Sequence, residues 1–404
     1  MTTTMTMKSI RMTARSLIAV LAMMASVSAH ADQIADTRNA AVESYLARWQ
    51  AESGSPGVSA AICVGDRMVF SGGVGVSDLQ SGTPQNGRSV HGIGSISKTQ
   101  ALVAVMQLVE QRKVRLDEEI QVYAPWFPRK SRPITVRHLL THTSGIRHYR
   151  DGEFGPGGVM AFRHYDSYEE STRYWRDEEL LFEPGTHWSY STYATSLMQA
   201  IVESASGQSF ESYLTENVWR PVGMADTRLD VSRRIVPRRG QGYMRSRTGQ
   251  LVNVPNEDVS YKYAGGGMIS TDEDLCRFGM ALNAGRLLTP QSLNEVYRLQ
   301  LPTDIPNTDS DRQAYAAANP GKTPRSRGLR QGLIFNLEKD TQGRRYAGHS
   351  GGVKGTSSRF INFTQDGVVV ALHFNVSDLG SDVDMLKAAE ALAAIYLPER
   401  KATN

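Results

Sequence analysis

Cysteine is scarce in this 404-residue chain, which contains only Cys63 and Cys276. Two cysteines so far apart provide neither a disulfide framework nor a metal-ligand spacing. Free cysteine is commonly buried, so we predict two separate buried thiols, with a bridge as the alternative that an oxidising compartment would permit. No other cluster of Cys, His and acidic residues has metal spacing, and no glycine-rich phosphate loop occurs. We therefore expect no metal and no cofactor.

Long apolar runs are also missing, and the run over 17–27 is too short to span a membrane. This run follows three basic residues and precedes Ala29-His-Ala31, which is the order of a secretory signal with a small-residue cleavage site. We therefore predict that residues 1–31 are a signal peptide, removed near Ala31 to leave a periplasmic or secreted protein. A retained anchor is the alternative.

Most of the net positive charge of the chain comes from the predicted signal peptide. The whole chain has a formal net charge of +4, and removing the three basic residues of the signal leaves 42 Lys and Arg against 41 Asp and Glu. The high isoelectric point of the full chain is therefore no argument for a nucleic-acid partner. We predict a small-molecule or peptide substrate, no nucleic acid and no membrane span in the mature form. Composition predicts no oligomeric state.

The elements that are present have a clear distribution, with strands near both ends and helices in the middle. Hairpin patterns occur at 58–64 with 68–70 and at 357–363 with 368–374, and a further strand is predicted over 332–337. Apolar periodicity predicts helices that include 36–50, 135–143, 194–204, 271–282 and 382–397. We predict an α/β (α+β) protein with a mainly antiparallel sheet flanked by terminal helices. The sheet subdomain would comprise about 32–94 and 328–404, and a mostly helical insertion about 95–327, with a cleft between them.

The first chemical pattern is His91-Gly-Ile-Gly-Ser-Ile-Ser-Lys98, which precedes apolar residues at helical spacing. Lys98 is the only one of the ten lysines with a serine three positions before it. Residues i and i+3 share a helix face, so the Lys98 amine can reach the Ser95 hydroxyl, and the helix N-terminus favours negative charge there. This pattern is typical of a Ser-x-x-Lys nucleophile, although a helix cap with a surface lysine gives the same spacing.

Two further motifs follow in the order of a known family: Tyr190-Ser-Thr192 and His349-Ser-Gly-Gly352. With the stretches 134–145 and 182–186, they resemble the serine β-lactamase and penicillin-binding-protein superfamily, in its class C-like branch. Within that branch, 143–149 and 263–271 are most similar to the mitochondrial β-lactamase-like proteins and their bacterial relatives. The resemblance extends over about 56–374 and implies a β-lactamase/transpeptidase-like fold.

The resemblance also implies roles for the matched residues. Ser95 resembles the acylated nucleophile, and Lys98 and Tyr190 would share its proton as a coupled pair, with the choice of base left open. The backbone N–H groups of Ser95 and Gly352 would form the oxyanion hole. The resemblance places substrate contacts at Thr192, Ser350 and Gly351.

This chain departs from the family pattern at two of these positions. Thr192 stands where an asparagine is usual, and a hydroxyl cannot donate and accept as an amide does. His349 stands where β-lactamases of this class have lysine, so it would be a weaker anchor for a substrate carboxylate, or would instead relay a proton with Tyr190. The histidines His138 and His142 fit the helix-end text of the family, and we interpret both as structural.

We therefore predict an exported serine hydrolase that works through a Ser95 acyl-enzyme on amide or peptide bonds, as a D-alanyl-D-alanine peptidase does. The alternatives are an esterase or a weak β-lactamase. A non-catalytic penicillin-binding or structural protein with this fold is disfavoured because Ser95, Lys98 and Tyr190 are all intact.

Overall fold

The computed structural model describes residues 14–150, 153, 163–255, 257–302, 305–306, 330–380 and 383–398, with the backbone alone over 14–32. The side chains of the predicted signal peptide and of its cleavage site lie outside this description. Among the residues so described, no helix combines the length and the apolar character needed to cross a membrane.

Most strands belong to one antiparallel sheet. The strands are β1 (Gly57–Val64), β2 (Arg67–Asp78), β3 (Thr83–Pro84), β4 (His91–Gly92), β5 (Arg228–Leu229), β6 (Tyr243–Arg245), β7 (Leu251–Asn253), β8 (Met268–Ser270), β9 (Asn336–Lys339), β10 (Arg345–Val353), β11 (Thr356–Phe363) and β12 (Val368–Phe374). The main sheet has the order β3-β2-β1-β12-β11-β10-β9, and the smaller β4-β8-β5 sheet adjoins it. Val58 near the start of the chain lies opposite Phe374 near its end. The predicted antiparallel sheet drawn from both ends of the chain is confirmed.

Helices cover the sheet and fill the middle of the chain. They are α1 (Ala14–Ser53), α2 (Ser97–Glu110), α3 (Val136–Leu140), α4 (Tyr168–Thr172), α5 (Thr192–Ser196), α6 (Met198–Ser206), α7 (Phe210–Leu214), α8 (Tyr263–Gly266), α9 (Asp272–Asn283), α10 (Pro290–Tyr297) and α11 (Met385–Ala394). The helix predicted over 194–204 is two helices, α5 and α6. Ser95 lies near the start of a helix, as its sequence context predicts, in a 3₁₀ turn over Gly94–Ile96 that precedes α2.

The alternation of strand residues divides the core into two layers. Ala60 and Ile62 of β1 pack with the helices at the two ends of the chain, α1 and α11. Ala61 and Cys63 of the same strand pack with α2 and α9 on the other face. On this face α9 packs against β1 and β12, and the 3₁₀ turn that contains Ser95 packs against β10 and β11.

Cys63 and Cys276 form a disulfide, so the prediction of two separate thiols is wrong. Their Cα atoms are 6.0 Å apart, within the range that a bridge requires. The proximity of the two cysteines could not be predicted, because they are 213 residues apart in sequence and are brought together only by the packing of α9 on β1. A second link joins the same two elements, since the Ser59 hydroxyl donates to the Asp272 carboxyl across 2.5 Å.

Candidate active site

Ser95 occupies the 3₁₀ turn that joins the small sheet to α2. Gly94, just before it, has a φ of +49°, and a Cβ there would lie 2.5 Å from the backbone nitrogen of Gly352. Only glycine therefore permits this close approach between the turn and β10. Ser95 is partly exposed, whereas Ser97 is buried and donates through its hydroxyl to the carbonyl of Gly94 across 2.7 Å. The turn thus presents Ser95 to the cleft and uses Ser97 for support.

Lys98 is fully buried one helical turn after Ser95. Its Nζ lies 2.9 Å from Ser95 Oγ and 3.2 Å from Thr192 Oγ1, and it also donates to the carbonyl oxygen of Gly265. None of these partners is a carboxylate. Burial, and secondarily the positive charge of Lys262, hold the pKa of Lys98 well below its usual value. Lys98 is therefore an amine that can be uncharged near neutral pH.

Tyr190 completes the contacts to the serine. Its hydroxyl donates to Ser95 Oγ across 2.8 Å, and Lys98 Nζ lies 4.9 Å from the centre of its ring. The Thr192 hydroxyl oxygen accepts from Lys98, so this side chain contacts the amine, and its contact with a substrate stays a prediction. The sequence-predicted serine, lysine, tyrosine and threonine thus form one cluster.

The third motif lies on β10, where the strand runs past its partner β9. Pairing with β9 covers Arg345 to Gly348, whereas His349 to Val353 pair with β11 alone in the described sheet. A side chain at Gly351 would overlap the carbonyl oxygen of Ile93, so this glycine is needed for the contact between strand and turn. Gly352 is exposed, and a Cβ there would meet nothing within 4 Å. Ser350 is exposed on the same strand.

His349 is buried behind this edge. Its Nδ1 lies 2.6 Å from the carbonyl oxygen of Ser350, so Nδ1 carries the proton and donates. Burial, followed by the charge of Lys98, lowers the pKa of His349 to about 3. The imidazole is therefore neutral at physiological pH, and it does not supply the positive charge that would anchor a substrate carboxylate.

Sequence reasoning missed three residues around this cluster. The rings of His142 and His148 lie 4.4 Å and 5.4 Å from the ring of Tyr190, between centroids. Lys262 is buried beside Glu257, with 3.1 Å between Nζ and Oε1. His142 falls in the stretch 134–145 and is interpreted from sequence as structural, His148 falls in 143–149, and Lys262 immediately precedes 263–271; the resemblance gives none of the three a role in the site. Among the residues that the structure describes, no group of three or more His, Cys, Asp or Glu could hold a metal ion.

Comparison with known proteins gives a consistent result. The family model described as Beta-lactamase matches residues 14–395. The human "Serine beta-lactamase-like protein LACTB, mitochondrial" is 27% identical over 433 residues, which cover 85% of this chain and 78% of that protein. Esterase EstB of Burkholderia gladioli is 29% identical over 255 residues, which cover 55% of this chain and 64% of the esterase. A D-stereospecific amidohydrolase from Streptomyces is similar in structure, with a TM-score of 0.71, 27% identity and coverage of 87% of this chain and 98% of that one.

Proposed function

Because this chain belongs to the beta-lactamase family and is a hydrolase, we propose that it is an exported serine hydrolase that cleaves amide or peptide bonds through an acyl-enzyme on Ser95. The observation that carries the proposal is the position of Ser95 Oγ, 2.9 Å from the Lys98 amine and 2.8 Å from the Tyr190 hydroxyl. A nucleophile needs a neighbouring group that can take its proton, and both candidates lie within hydrogen-bond distance.

Lys98 is the better acceptor in the resting enzyme. An uncharged amine has two hydrogens, which suffice for the Gly265 carbonyl and the Thr192 hydroxyl, and its lone pair then faces Ser95. Tyr190 still holds its proton and donates it to Ser95. This division lets Lys98 take the serine proton while Tyr190 donates its own proton to the departing amine, and the proton on Lys98 then replaces the one that Tyr190 has lost.

The reaction then has two stages. Ser95 Oγ bonds to the substrate carbonyl carbon as its proton passes to Lys98, and the oxyanion forms beside the N–H groups of Ser95 and Gly352. The tetrahedral intermediate expels the protonated amine and leaves an ester on Ser95. Water attacks that ester and gives a proton to Lys98, which passes a proton to Ser95 Oγ as the acid is released.

Among the residues that the structure describes, no strand pairs with the far edge of β10 over 349–353, and this favours a peptide substrate. An extended peptide can add to an unpaired strand edge through main-chain hydrogen bonds, and His349 to Val353 offer such an edge next to Ser95. A neutral His349 provides no fixed charge for the carboxylate of penicillins, which disfavours efficient β-lactam hydrolysis. An ester is the second candidate because the same serine serves both leaving groups and the similar EstB is named an esterase.

Export is supported by two independent observations. The first 31 residues have the pattern of a secretory signal. The Cys63–Cys276 disulfide belongs to a protein that matures in an oxidising compartment.

The test combines covalent labelling with a substrate panel. The purified protein is treated with a fluorophosphonate, and the adduct is located by peptide mass spectrometry. Turnover is then compared for D-amino-acid peptides, p-nitrophenyl esters and nitrocefin. We expect the adduct on Ser95 and the highest kcat/KM for a peptide or amide. An adduct on Ser97, or no adduct, would overturn the nucleophile; turnover of esters alone would establish the esterase instead.

A further inference from the structure

The segment that carries Tyr190 is joined to a second segment, 142–148, by hydrogen bonds between side chains and backbone groups. The N–H of Ser191 donates to Nδ1 of His142 across 3.2 Å, and the next N–H, of Thr192, donates to Nδ1 of His148 across 3.1 Å. The Ser191 hydroxyl donates to the carbonyl of Arg147 across 2.7 Å. Two histidines therefore receive two consecutive N–H groups immediately after the reactive tyrosine.

These N–H groups have no partner within their own helix. Ser191 is the N-cap of α5 and Thr192 is its first residue, so their N–H groups belong to the set that a helix leaves unsatisfied. The Ser191 hydroxyl already serves the N–H of Ala194 across 3.0 Å. The imidazoles thus perform the capping that the local sequence does not supply.

The bonds define the tautomer of each ring. An Nδ1 that accepts a hydrogen bond carries no proton, so both rings are neutral with the proton on Nε2. Burial, followed by the charge of Lys98, lowers the pKa of His148 to about 3 and that of His142 well below its usual value. Other charged or titratable neighbours in the described part of the chain are His148, His349 and Tyr190 for His142, and Lys262, Arg147, Tyr149 and Tyr190 for His148. These surroundings favour the uncharged form that accepts the bond.

His142 is held in a conformation that the chain would not adopt without a reason. Its φ is +55°, in the left-handed region that side chains other than glycine rarely occupy. Its Nε2 is buried and has no hydrogen-bond partner in the part of the chain that the structure describes. Strained backbone and an unsatisfied buried atom persist where the surrounding structure fixes them, and functional sites are where they concentrate.

We propose that His142 and His148 are positioning residues of the hydrolytic reaction, which hold the Ser191 and Thr192 backbone so that the Tyr190 and Thr192 hydroxyls stay on Ser95 and Lys98. This inference rests on the proposed function. A tyrosine hydroxyl is placed by its backbone and two torsions, so a small shift of residue 191 moves it away from Ser95. Misplacement by about 1 Å can cost on the order of 100-fold in rate.

Two substitutions of His148 separate its nitrogens. The amide oxygen of asparagine can replace Nδ1 as the acceptor, whereas glutamine places its amide near Nε2 and leaves the Thr192 N–H unbonded. We expect His148→Asn to keep the acylation rate within about threefold, and His148→Gln to lower kcat by roughly 10- to 100-fold with a smaller change in KM. Equal losses in the two variants would overturn the assignment of Nδ1.

His138 supplies a matched control. Its Nδ1 also accepts a backbone N–H, that of Thr135 across 3.2 Å, at the start of α3. His138→Gln should therefore remove the same kind of bond and leave the acylation rate unchanged. An equal rate loss there would show that any such bond matters only through the fold, and the proposal would fail.

A double-mutant cycle tests the route through the tyrosine. His142→Gln should slow acylation in the wild type but have less than about a threefold effect in Tyr190→Phe, because the tyrosine hydroxyl is gone and the Thr192 N–H is still bound by His148. Independent losses that multiply would contradict the proposal. Fluorophosphonate labelling of the wild type keeps the two hypotheses apart. A wild type without an adduct on Ser95 refutes the proposed function, whereas fully active glutamine variants refute only the positioning role.

A measurement on the unaltered protein covers variants that do not fold. Nitrogen-15 NMR of histidine-labelled protein at pH 7 should show the Nε2–H tautomer for His142 and His148. His349 should show the opposite Nδ1–H tautomer, since its Nδ1 donates to the Ser350 carbonyl. Finding Nδ1–H in His142 or His148 would overturn the inference directly.

Discussion

Two serines in one motif have opposite surroundings, and this contrast gives the most direct prediction. Ser95 faces the cleft, while Ser97 is buried, donates to the Gly94 carbonyl and accepts from the N–H of Met268 across 3.2 Å. Ser95→Ala should abolish labelling and turnover at an unchanged melting temperature. Ser97→Ala should still label, with a stability loss of about 1–3 kcal/mol for an unsatisfied buried group. Labelling rate and calorimetry on both variants check this, and persistent labelling of Ser95→Ala would refute it.

Lys98 and Tyr190 act on the same proton, so their removal should not be additive. Each of Lys98→Ala and Tyr190→Phe should lower kcat by on the order of 100-fold or more. The double variant should lose far less than the product of the two, because one proton route is already lost after the first change. Single-turnover acylation rates of the four proteins measure the coupling. Full multiplication of the two losses would rule out a shared proton.

His349 gives the prediction on pH. With a pKa of about 3, its ring stays neutral from pH 8 down to about pH 4 and gains charge only as the pH falls further. The ratio of kcat/KM for a carboxylate substrate to kcat/KM for a neutral ester should therefore show no transition between about pH 5.5 and 7.5, where an ordinary histidine titrates.

His349→Lys places a second amine close to Lys98 in a buried site. We expect it to lose rate on every substrate, neutral esters included, because the two amines disfavour each other's charge. Profiles of kcat/KM against pH for one neutral ester and one carboxylate substrate, in both proteins, provide the measurement. A variant that hydrolyses penicillins faster than the wild type would contradict this expectation.

At the residue scale, the three-residue spacing of Ser95 and Lys98 is enough to bring these two side chains together. Tyr190 and Thr192 were predicted from the family resemblance of their motif. The depressed pKa of His349 could not be predicted, since burial depends on strands that are distant in sequence. The hydrogen bonds from the Ser191 and Thr192 N–H groups to the two histidines could not be predicted, for a related reason. A side chain that bonds a backbone N–H leaves no pattern in the residue that it bonds.

Elements with a regular pattern were predicted well, and irregular ones were not. β12 occupies the predicted 368–374, and α9 differs from 271–282 by one residue at each end. β10 was missed as a strand because Gly348, Gly351 and Gly352 replace the branched residues by which strands are recognised. These glycines are there for the close approach of the site, so the functional requirement itself masks the element.

The link between β1 and α9 provides the prediction at the scale of elements. The Cys63–Cys276 bridge closes a loop of 213 residues, for which chain entropy predicts a stabilisation of about 5 kcal/mol. Cys276→Ser should therefore lower the melting temperature by several degrees and make it insensitive to dithiothreitol. The wild type should move to the same value on reduction. A wild type unaffected by reductant would show that the bridge contributes nothing.

At the scale of the whole molecule, the two faces of the sheet unite parts of the chain that are far apart in sequence. Hydrophobic patterning predicted one sheet with helices on it, because apolar faces must be covered. The pairing of β1 with β12 and the packing of α9 against β1 are long-range choices that local patterns do not encode. For the same reason, the Cys63–Cys276 disulfide could not be predicted from local sequence patterns.

The pairing of β1 with β12 also means that the site needs segments that are far apart in sequence. Polypeptides emerge from the ribosome N-terminus first. Ser95 therefore appears early, whereas Gly352 and β12, the strand that pairs with β1, appear late. A growing chain holds its nucleophile without the opposing N–H of Gly352 and cannot acylate. A chain truncated after Asp340 should accordingly take no fluorophosphonate label, and labelling of it would refute this. The order of the strands thus makes acylation depend on segments that are far apart in sequence, and not on the Ser95 motif alone.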